Sequence, residues 1–172
     1  NRDIRTSTVR DFLPGRANIV GADGYYFLDS HKQWVVNGEL SVSDVAGSAE
    51  SITRLQEEPQ RYYQRTETPE VSFNPSRTSL RGWTGHINLN RNEGAWQVNA
   101  SVWGVSPGFE SSDLGFHFNG DEWGEHVVFS VKQLHPDGFT RDRNITVAKF
   151  YTWDYGGAKL GDGFMMFPNL TF

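Results

Sequence analysis

Residues 33–45, with the sequence QWVVNGELSVSDV, decide the fold class. Apolar residues and a glycine stand at alternate positions from Trp34 to Val42, and mostly polar residues stand between them. Because the side chains of a β-strand point to opposite faces in turn, this pattern predicts a strand with one apolar face and one polar face. A barrel strand needs about 9 to 11 residues to cross a membrane. The segment is therefore long enough for a transmembrane strand as well as for a half-buried strand of a soluble sheet.

The same alternation returns in residues 81–90 (RGWTGHINLN) and 95–105 (AWQVNASVWGV). Residues 90–94 (NRNEG) join them and accept left-handed backbone angles, so residues 78–105 are predicted to form one antiparallel hairpin. Further strands are predicted at residues 18–28, 125–134, 144–155 and 164–172, with a glycine-rich link at 156–163. Ser48 is a candidate cap for one short helix bearing Ile52 and Leu55.

The two longest connections, residues 46–77 and 106–124, separate strands of the predicted series. If successive strands alternate in direction, both connections lie at one end of the sheet and the turn at 90–94 lies at the other. Outer-membrane barrels have this asymmetry, with short turns on one side and long loops on the other. The sequence thus predicts an all-β, antiparallel, meander-type section of a transmembrane β-barrel, with long loops and one short helix.

Composition bounds the function classes. The chain has 172 residues, suited to a single region, and no cysteine, which excludes thiol chemistry and disulfides. The net charge of -5, with no basic stripe, argues against nucleic acid as a partner. The five histidines are scattered without zinc-ligand spacing, and neither a Gly-x-Ser-x-Gly elbow nor a phosphate-binding glycine loop occurs. No catalytic residue, metal site or cofactor is predicted.

Several charged and aromatic groups allow two interpretations. The carboxylates at residues 57–58, at Glu110 with Asp113, and at residues 121–122 are interpreted as solvated loop charge, since sequence neighbours do not define a catalytic pair. A hard-cation site at Asn119, Asp121 and Glu122 is the alternative, although the spacing does not match an EF-hand loop. The six tryptophans are candidates for an interfacial belt or for sugar stacking. Tyr62, Tyr63 and Arg65 lie in a long connection, where they either contact a ligand or partner or pack within the loop.

Six short segments together resemble one known family: residues 41–48 (SVSDVAGS), 52–56 (ITRLQ), 61–65 (RYYQR), 77–83 (RTSLRGW), 105–110 (VSPGFE) and 113–116 (DLGF). Their order and spacing are similar to the C-terminal region of the DUF5916 family. That resemblance implies a large outer-membrane protein of a Gram-negative bacterium, with an N-terminal domain similar to family 9 carbohydrate-binding modules and a C-terminal β-barrel. Nothing in this chain resembles the N-terminal module, so no sugar-binding residue is carried over.

Three hypotheses follow. The first is a non-enzymatic section of a larger outer-membrane β-barrel, covering residues 1–172, with a structural or transport role; its partners are outer-membrane lipid and the rest of the barrel. The second is a soluble β-sandwich that binds carbohydrate within a polysaccharide-processing protein, its apolar faces packed on each other. The third is a structural subunit that pairs its strand edges with other chains.

Overall fold

The computed structural model describes residues 11–61, 63–65, 71–111 and 119–172. Seven strands form one antiparallel sheet in the order of the chain, and one helix of nine residues accompanies them. The all-β antiparallel meander with one short helix is therefore confirmed, while β1 and β7 stay unpaired with each other and the sheet is open. The elements are β1 (Arg16–Phe27), β2 (Trp34–Ala46), α1 (Ala49–Glu57), β3 (Ser79–Arg91), β4 (Trp96–Val105), β5 (Glu122–Lys132), β6 (Asp142–Trp153) and β7 (Lys159–Thr171).

The predicted link at residues 156–163 is wrong, because β7 already begins at Lys159. The turn before it is shorter: the Asp154 carboxylate accepts the backbone N–H of Ala158 at 2.7 Å, and Gly157 takes a positive φ of 88°. The later glycines belong to the strand. Gly163 leaves room for the ring of Phe150 on β6, which a Cβ at this position would overlap. Cross-strand packing, and not turn formation, explains glycine there.

The two kinds of connection lie at opposite ends of the sheet, as predicted. The long connections after β2 and β4, and the turn between β6 and β7, lie at one end, called here the cap end. The shorter turns after β1, β3 and β5 lie at the other, called the turn end. At the turn end, Asp29 accepts the backbone N–H groups of Gln33 at 3.0 Å and Trp34 at 2.8 Å. These hydrogen bonds, above all the one from Gln33, lower the pKa of Asp29.

Each strand residue can be assigned to one of two faces, because directly paired residues of neighbouring strands project to the same side. The apolar face carries Trp34 of β2, Ile87 of β3 and Val102 of β4, which the register connects. The polar face carries Asn37 of β2 and Asn88 of β3, which are paired directly. Within the described residues, no helix is both long and apolar enough to cross a membrane.

The buried core lies at the cap end of the polar face. Ile52 and Leu55 of α1 pack there against Val45 of β2 and Leu80 of β3, together with Tyr63 and Val71 from the connection between the two strands. Ser48 caps α1 as predicted, and its hydroxyl accepts the backbone N–H of Ser51 at 3.2 Å. The helix thus covers one end of the polar face and leaves the apolar face free.

Candidate functional site

The apolar face is the most unusual surface of the described residues. All ten exposed large apolar side chains of β2 to β6 project from it, with 40% to 68% of their surface accessible. An exposed apolar surface that extends over five strands exceeds what a soluble monomer normally leaves in water and marks an interaction site. The ten side chains are Leu40, Val42, Trp83, Ile87, Trp96, Val102, Val127, Phe129, Val131 and Ile145.

An aromatic rim borders the apolar face at the turn end. The rings of Trp34 and Trp96 meet edge to face with 5.9 Å between centroids, and Trp96 stacks on Phe129 at 6.3 Å. The guanidinium of Arg91 lies 3.6 Å from the centroid of the Trp96 ring. Indole rings beside a cation combine an apolar body with a polar boundary, which is the chemistry of a membrane interface.

A second aromatic rim borders the same face at the cap end. Trp123 and Trp153 stack with their centroids 4.5 Å apart, and Trp83 meets Tyr155 edge to face at 6.1 Å. The two rims together contain five of the six tryptophans. The exception, Trp103, is paired with His86 and lies on the polar face. Five of the six tryptophans thus lie in two rims at opposite ends of the apolar face, and an interfacial role for them stays a prediction.

Charged residues limit the apolar band on β3. Arg81 donates to Asp44 at 2.6 Å beyond the cap-end rim, and Arg91 stands at the turn end. The apolar-face residues between these arginines are all uncharged. Arg81 and Arg91 are ten residues apart, so the uncharged stretch is about 33 Å long at roughly 3.3 Å per residue. A strand tilt of about 40° reduces this to about 25 Å across the band, the height of the apolar belt of outer-membrane barrels.

The charged boundary crosses the sheet obliquely. On β2 the boundary lies at Asp44, and on β7 it lies at Asp162. Following directly paired residues from Asp162 across the sheet leads through Ile87 of β3 to Gly38 of β2, not to Asp44. The boundary has thus moved by six residues over five strand intervals. If the strands are tilted by about 40° from the barrel axis and spaced about 4.8 Å apart, a line perpendicular to that axis shifts by about 4 Å along each successive strand. Over five strand intervals this shift is about 20 Å, or about six residues, which equals the displacement from Asp44 to Asp162.

Glu125 of β5 and Lys149 of β6 are charged residues that lie on the apolar face, on the turn-end side of the cap-end rim: Glu125 is in register with Asp162, and Lys149 is paired with Phe164. Lys149 of β6 forms an ion pair with Asp162 of β7, and its ammonium lies 4.4 Å from the Tyr151 ring centroid. Lys159 also reaches Asp162, at 3.0 Å. Asp162 and Lys159 lie on the cap-end side of the apolar stretch of β7, whereas Lys149 is in register with Phe164 within that stretch.

The polar face carries a network of amide and imidazole side chains. The side-chain amide of Asn90 donates to Asn37 at 3.2 Å, and that of Asn99 donates to Asn88 at 2.9 Å. Asn99 also donates to Asn90 at 2.5 Å, and Nε2 of His126 lies 2.6 Å from Oδ1 of Asn99, so the network reaches from β2 to β5. Such a surface is suited to water or to polar solutes, and it contrasts with the opposite side of the same strands.

The two long connections are joined into one cap by a buried arginine. Arg61 donates to the backbone carbonyls of Leu55 at 3.2 Å and Phe109 at 2.9 Å. Its guanidinium also pairs with the carboxylates of Glu58, at 2.9 Å, and Glu110. Burial raises the pKa of Glu58, although the positive charge of Arg61 opposes that shift.

A second ion pair and a glycine complete the cap. Arg65 donates to Asp121 at 2.6 Å, and the same carboxylate accepts the backbone N–H of Tyr155 at 3.2 Å. At Gly82 of β3 the connection after β4 comes so close that a Cβ would overlap the backbone of Phe109. The cap is therefore anchored on both connections and on the sheet itself.

The fold places two of the three predicted binding residues within this cap. Tyr63 is only 4% exposed and belongs to the core, where burial raises its pKa, and Arg65 pairs with Asp121. Tyr62 lies outside the described residues. These positions match the loop-packing alternative, and a ligand contact at Tyr63 or Arg65 stays a prediction.

The interpretation of the loop carboxylates as solvated charge is wrong for Glu110 and Asp121, which are 7% and 1% exposed, while Asp113 lies outside the described residues. The arginines that pair with them come from the other long connection, and this proximity exists only in the folded chain. The sequence shows opposite charges in the two long connections, which indicates that ion pairs can form between them. It does not specify which residues pair. Among the described residues, no group of three or more acidic or histidine side chains is arranged to hold a metal ion.

The geometry defines an open antiparallel sheet with one apolar face between two aromatic rims and one polar face with a cap at its end. Comparison of the chain with protein-family models, curated proteins and solved structures finds no match.

Proposed function

We propose that this chain is a section of a β-barrel in the outer membrane of a Gram-negative bacterium, with a structural or transport role and no catalytic one. The apolar face contacts lipid and the polar face lines the lumen. The observation that carries the proposal is the segregation of all exposed large apolar side chains of β2 to β6 to one face. The resemblance to the DUF5916 family implies the same location.

Covering the ten exposed apolar side chains stabilises the protein. Full burial of such a side chain stabilises by about 1.5 to 3 kcal/mol, so covering the exposed half of each contributes roughly 1 kcal/mol. Ten of them together give about 10 kcal/mol, which is as large as the stability of an ordinary domain. A lipid environment provides this free energy to all five strands at once.

The hydrogen-bonding pattern supports the same assignment. In a bilayer every backbone polar group must be satisfied within the protein, and β2 to β6 pair on both edges along most of their length. The side-chain amides and the imidazole that need polar surroundings lie on the opposite face. The lumen of a barrel provides those surroundings without exposing them to lipid.

The β-sandwich alternative receives less support from this geometry. A sandwich requires a second sheet packed on the apolar face at a distance of about 10 Å. The described residues contain a single sheet, and α1 packs on the polar face. A carbohydrate ligand on the polar face stays compatible with the barrel, because neutral amides bind hydroxyl groups.

The test uses the distribution of tryptophans over the two faces. In the membrane-inserted protein, one variant retains only Trp83, from the cap-end rim, and a matched variant retains only Trp103, from the polar face. Phospholipids brominated near the headgroup end of the acyl chain quench indoles that lie next to lipid. We expect strong quenching of Trp83 and little of Trp103.

The folded state of each variant is verified first, by its faster migration on unheated detergent gels. Quenching that is equal for the two tryptophans would contradict the proposed orientation of the faces. Failure of the folded protein to associate with membranes would contradict the barrel itself.

A further inference from the structure

The strand directions determine how the open sheet can be closed. Each of the six successive strand pairs is antiparallel, so β1 and β7 run in the same direction. If β7 paired directly with β1, the seam would be parallel. Bacterial outer-membrane barrels formed by one chain have an even number of strands that are antiparallel throughout. Seven strands of this meander cannot close in that way.

We propose that an odd number of further strands of the same polypeptide lies between β7 and β1 and completes the barrel. This inference rests on the proposed function. β7 runs from the cap end to the turn end, so a strand antiparallel to it runs back toward the cap end. After any odd number of strands, the last one is again antiparallel to β1. Every seam is then antiparallel, and the strand total is even.

The chemistry of β7 supports pairing at that edge. Strands at a permanent edge are normally short, or they carry charges or proline that prevent pairing. β7 has 13 residues, and its stretch from residue 163 to 171 contains no charged side chain and a single proline, Pro168, which removes one backbone N–H. Phe164 and Met166 are exposed on the apolar face, and Met165 and Phe167 are exposed on the polar face. The strand beside β7 is therefore expected to carry apolar residues toward both faces at this height.

Within the residues that the structure describes, the edge formed by β1 is also long and carries few charges. The strand has 12 residues, and its adjacent Tyr25 and Tyr26 project to opposite faces with 72% and 71% of their surface exposed. Its only charged residues are Arg16, at its cap-end start, and Asp23. Both edges are thus long and rich in exposed apolar side chains, as expected of strands that have a neighbour in the complete barrel.

A second copy of this chain does not satisfy the same conditions. A copy with the same orientation, related by rotation about the barrel axis, joins β7 to β1 and makes both seams parallel. An inverted copy gives antiparallel β1–β1 and β7–β7 seams, but it places the two caps on opposite sides of the membrane. Additional strands in odd number retain both the antiparallel ladder and a cap on one side.

The experiment determines the direction of the neighbouring strand at each edge. A photo-crosslinking amino acid replaces one residue at a time in the protein in isolated membranes, and crosslinked peptides are located by mass spectrometry. On β7 the positions are Phe164, near the cap end, and Leu170, near the turn end. On β1 they are Val20, near the cap end, and Tyr26, near the turn end. All four side chains are exposed on the apolar face.

We expect crosslinks to segments of the same polypeptide outside residues 1–172. At each edge, the probe with the lower residue number should contact the site with the higher residue number, because the neighbouring strand is antiparallel. The same order at either edge would mean a parallel seam and would overturn the odd number. Crosslinks between β1 and β7, within one chain or between copies, would overturn the inserted strands, as would crosslinks to a different protein. These failures are distinguishable from failure of the proposed function, because tryptophan quenching by lipid is measured independently.

A disulfide control uses the absence of native cysteine. Ile87 and Val102 are directly paired between β3 and β4, so cysteines at these two positions are expected to form a disulfide. A cysteine at Phe164, combined in turn with one at each apolar-face position of β1, is expected to form none. A disulfide in the second set, at a yield like that of the control, would show direct closure and would refute the inference.

Discussion

Replacing Ile87 by arginine, and His86 by arginine in a matched variant, tests the assignment of the two faces most directly. The residues are neighbours on β3 and project to opposite faces. Ile87 is 68% exposed on the apolar face. His86 lies on the polar face, and its Nδ1 is 3.4 Å from a carboxylate oxygen of Glu39, which an arginine at this position can also approach.

The expected magnitude follows from the position of Ile87 in the apolar band. It lies six residues from Arg81 and four from Arg91, close to the middle of the uncharged stretch. Arginine on the lipid face near the bilayer midplane destabilises an outer-membrane barrel by about 2 to 4 kcal/mol. This corresponds to a decrease of roughly 30- to 800-fold in the folding equilibrium constant. His86→Arg is expected to change the free energy of unfolding by less than about 0.5 kcal/mol.

The assay is reversible unfolding of the protein in phospholipid vesicles, with denaturant titrated and tryptophan fluorescence recorded. The two variants carry the same new side chain one residue apart, so differences in arginine's strand propensity largely cancel. If Ile87 were exposed to water, both substitutions would change stability by less than about 0.5 kcal/mol, as at an ordinary surface position. Equal effects of the two variants would therefore refute the lipid-facing assignment.

Three further predictions concern the cap, the sheet and the turn end. Arg61→Met is expected to destabilise the cap by about 3 to 5 kcal/mol, measured by hydrogen exchange of α1, because it removes the buried cation that pairs with Glu110. The double variant Arg61→Met with Glu110→Leu should be destabilised less, because no buried carboxylate is then left without the arginine. Equal destabilisation of the single and double variants would contradict the buried ion pair. Gly82→Ala is expected to lower the free energy of unfolding by about 1 to 3 kcal/mol in denaturant titrations, because its Cβ would overlap the backbone of Phe109. The control Gly24→Ala should change stability little, because its Cβ would meet open space. Similar effects of the two variants would contradict the close approach of the loop to β3. Because backbone N–H groups of the β1–β2 turn lower the pKa of Asp29, the stability that this carboxylate contributes is complete above its unfolded pKa of about 3.9 and is lost as the pH falls through the lower folded value. Asp29→Asn should therefore lose less stability than the native chain between pH 5 and pH 2 in unfolding titrations, and an identical pH dependence would contradict this role.

The sequence alone predicted the strands and their faces. Alternation with a period of two is a local property, and it identified β2, β3 and β4 within two residues at each end. It also assigned Trp34, Trp96 and Trp103 to their faces, which the register confirms. Ser48 as a helix cap was equally predictable, because capping depends on residues only three positions apart. The direction of every strand then followed from their order along the chain.

The tertiary structure decided what lies far apart in sequence. Arg61 and Glu110 are 49 residues apart, and the alternation pattern contains no information on which charges of the two long connections meet. The oblique boundary of the apolar band likewise depends on the register between strands, which connects Asp162 to Gly38 and not to Asp44. A strand's faces are set by its own backbone geometry, whereas a buried ion pair, a cap and a tilted band exist only when the distant segments that form them have been brought together.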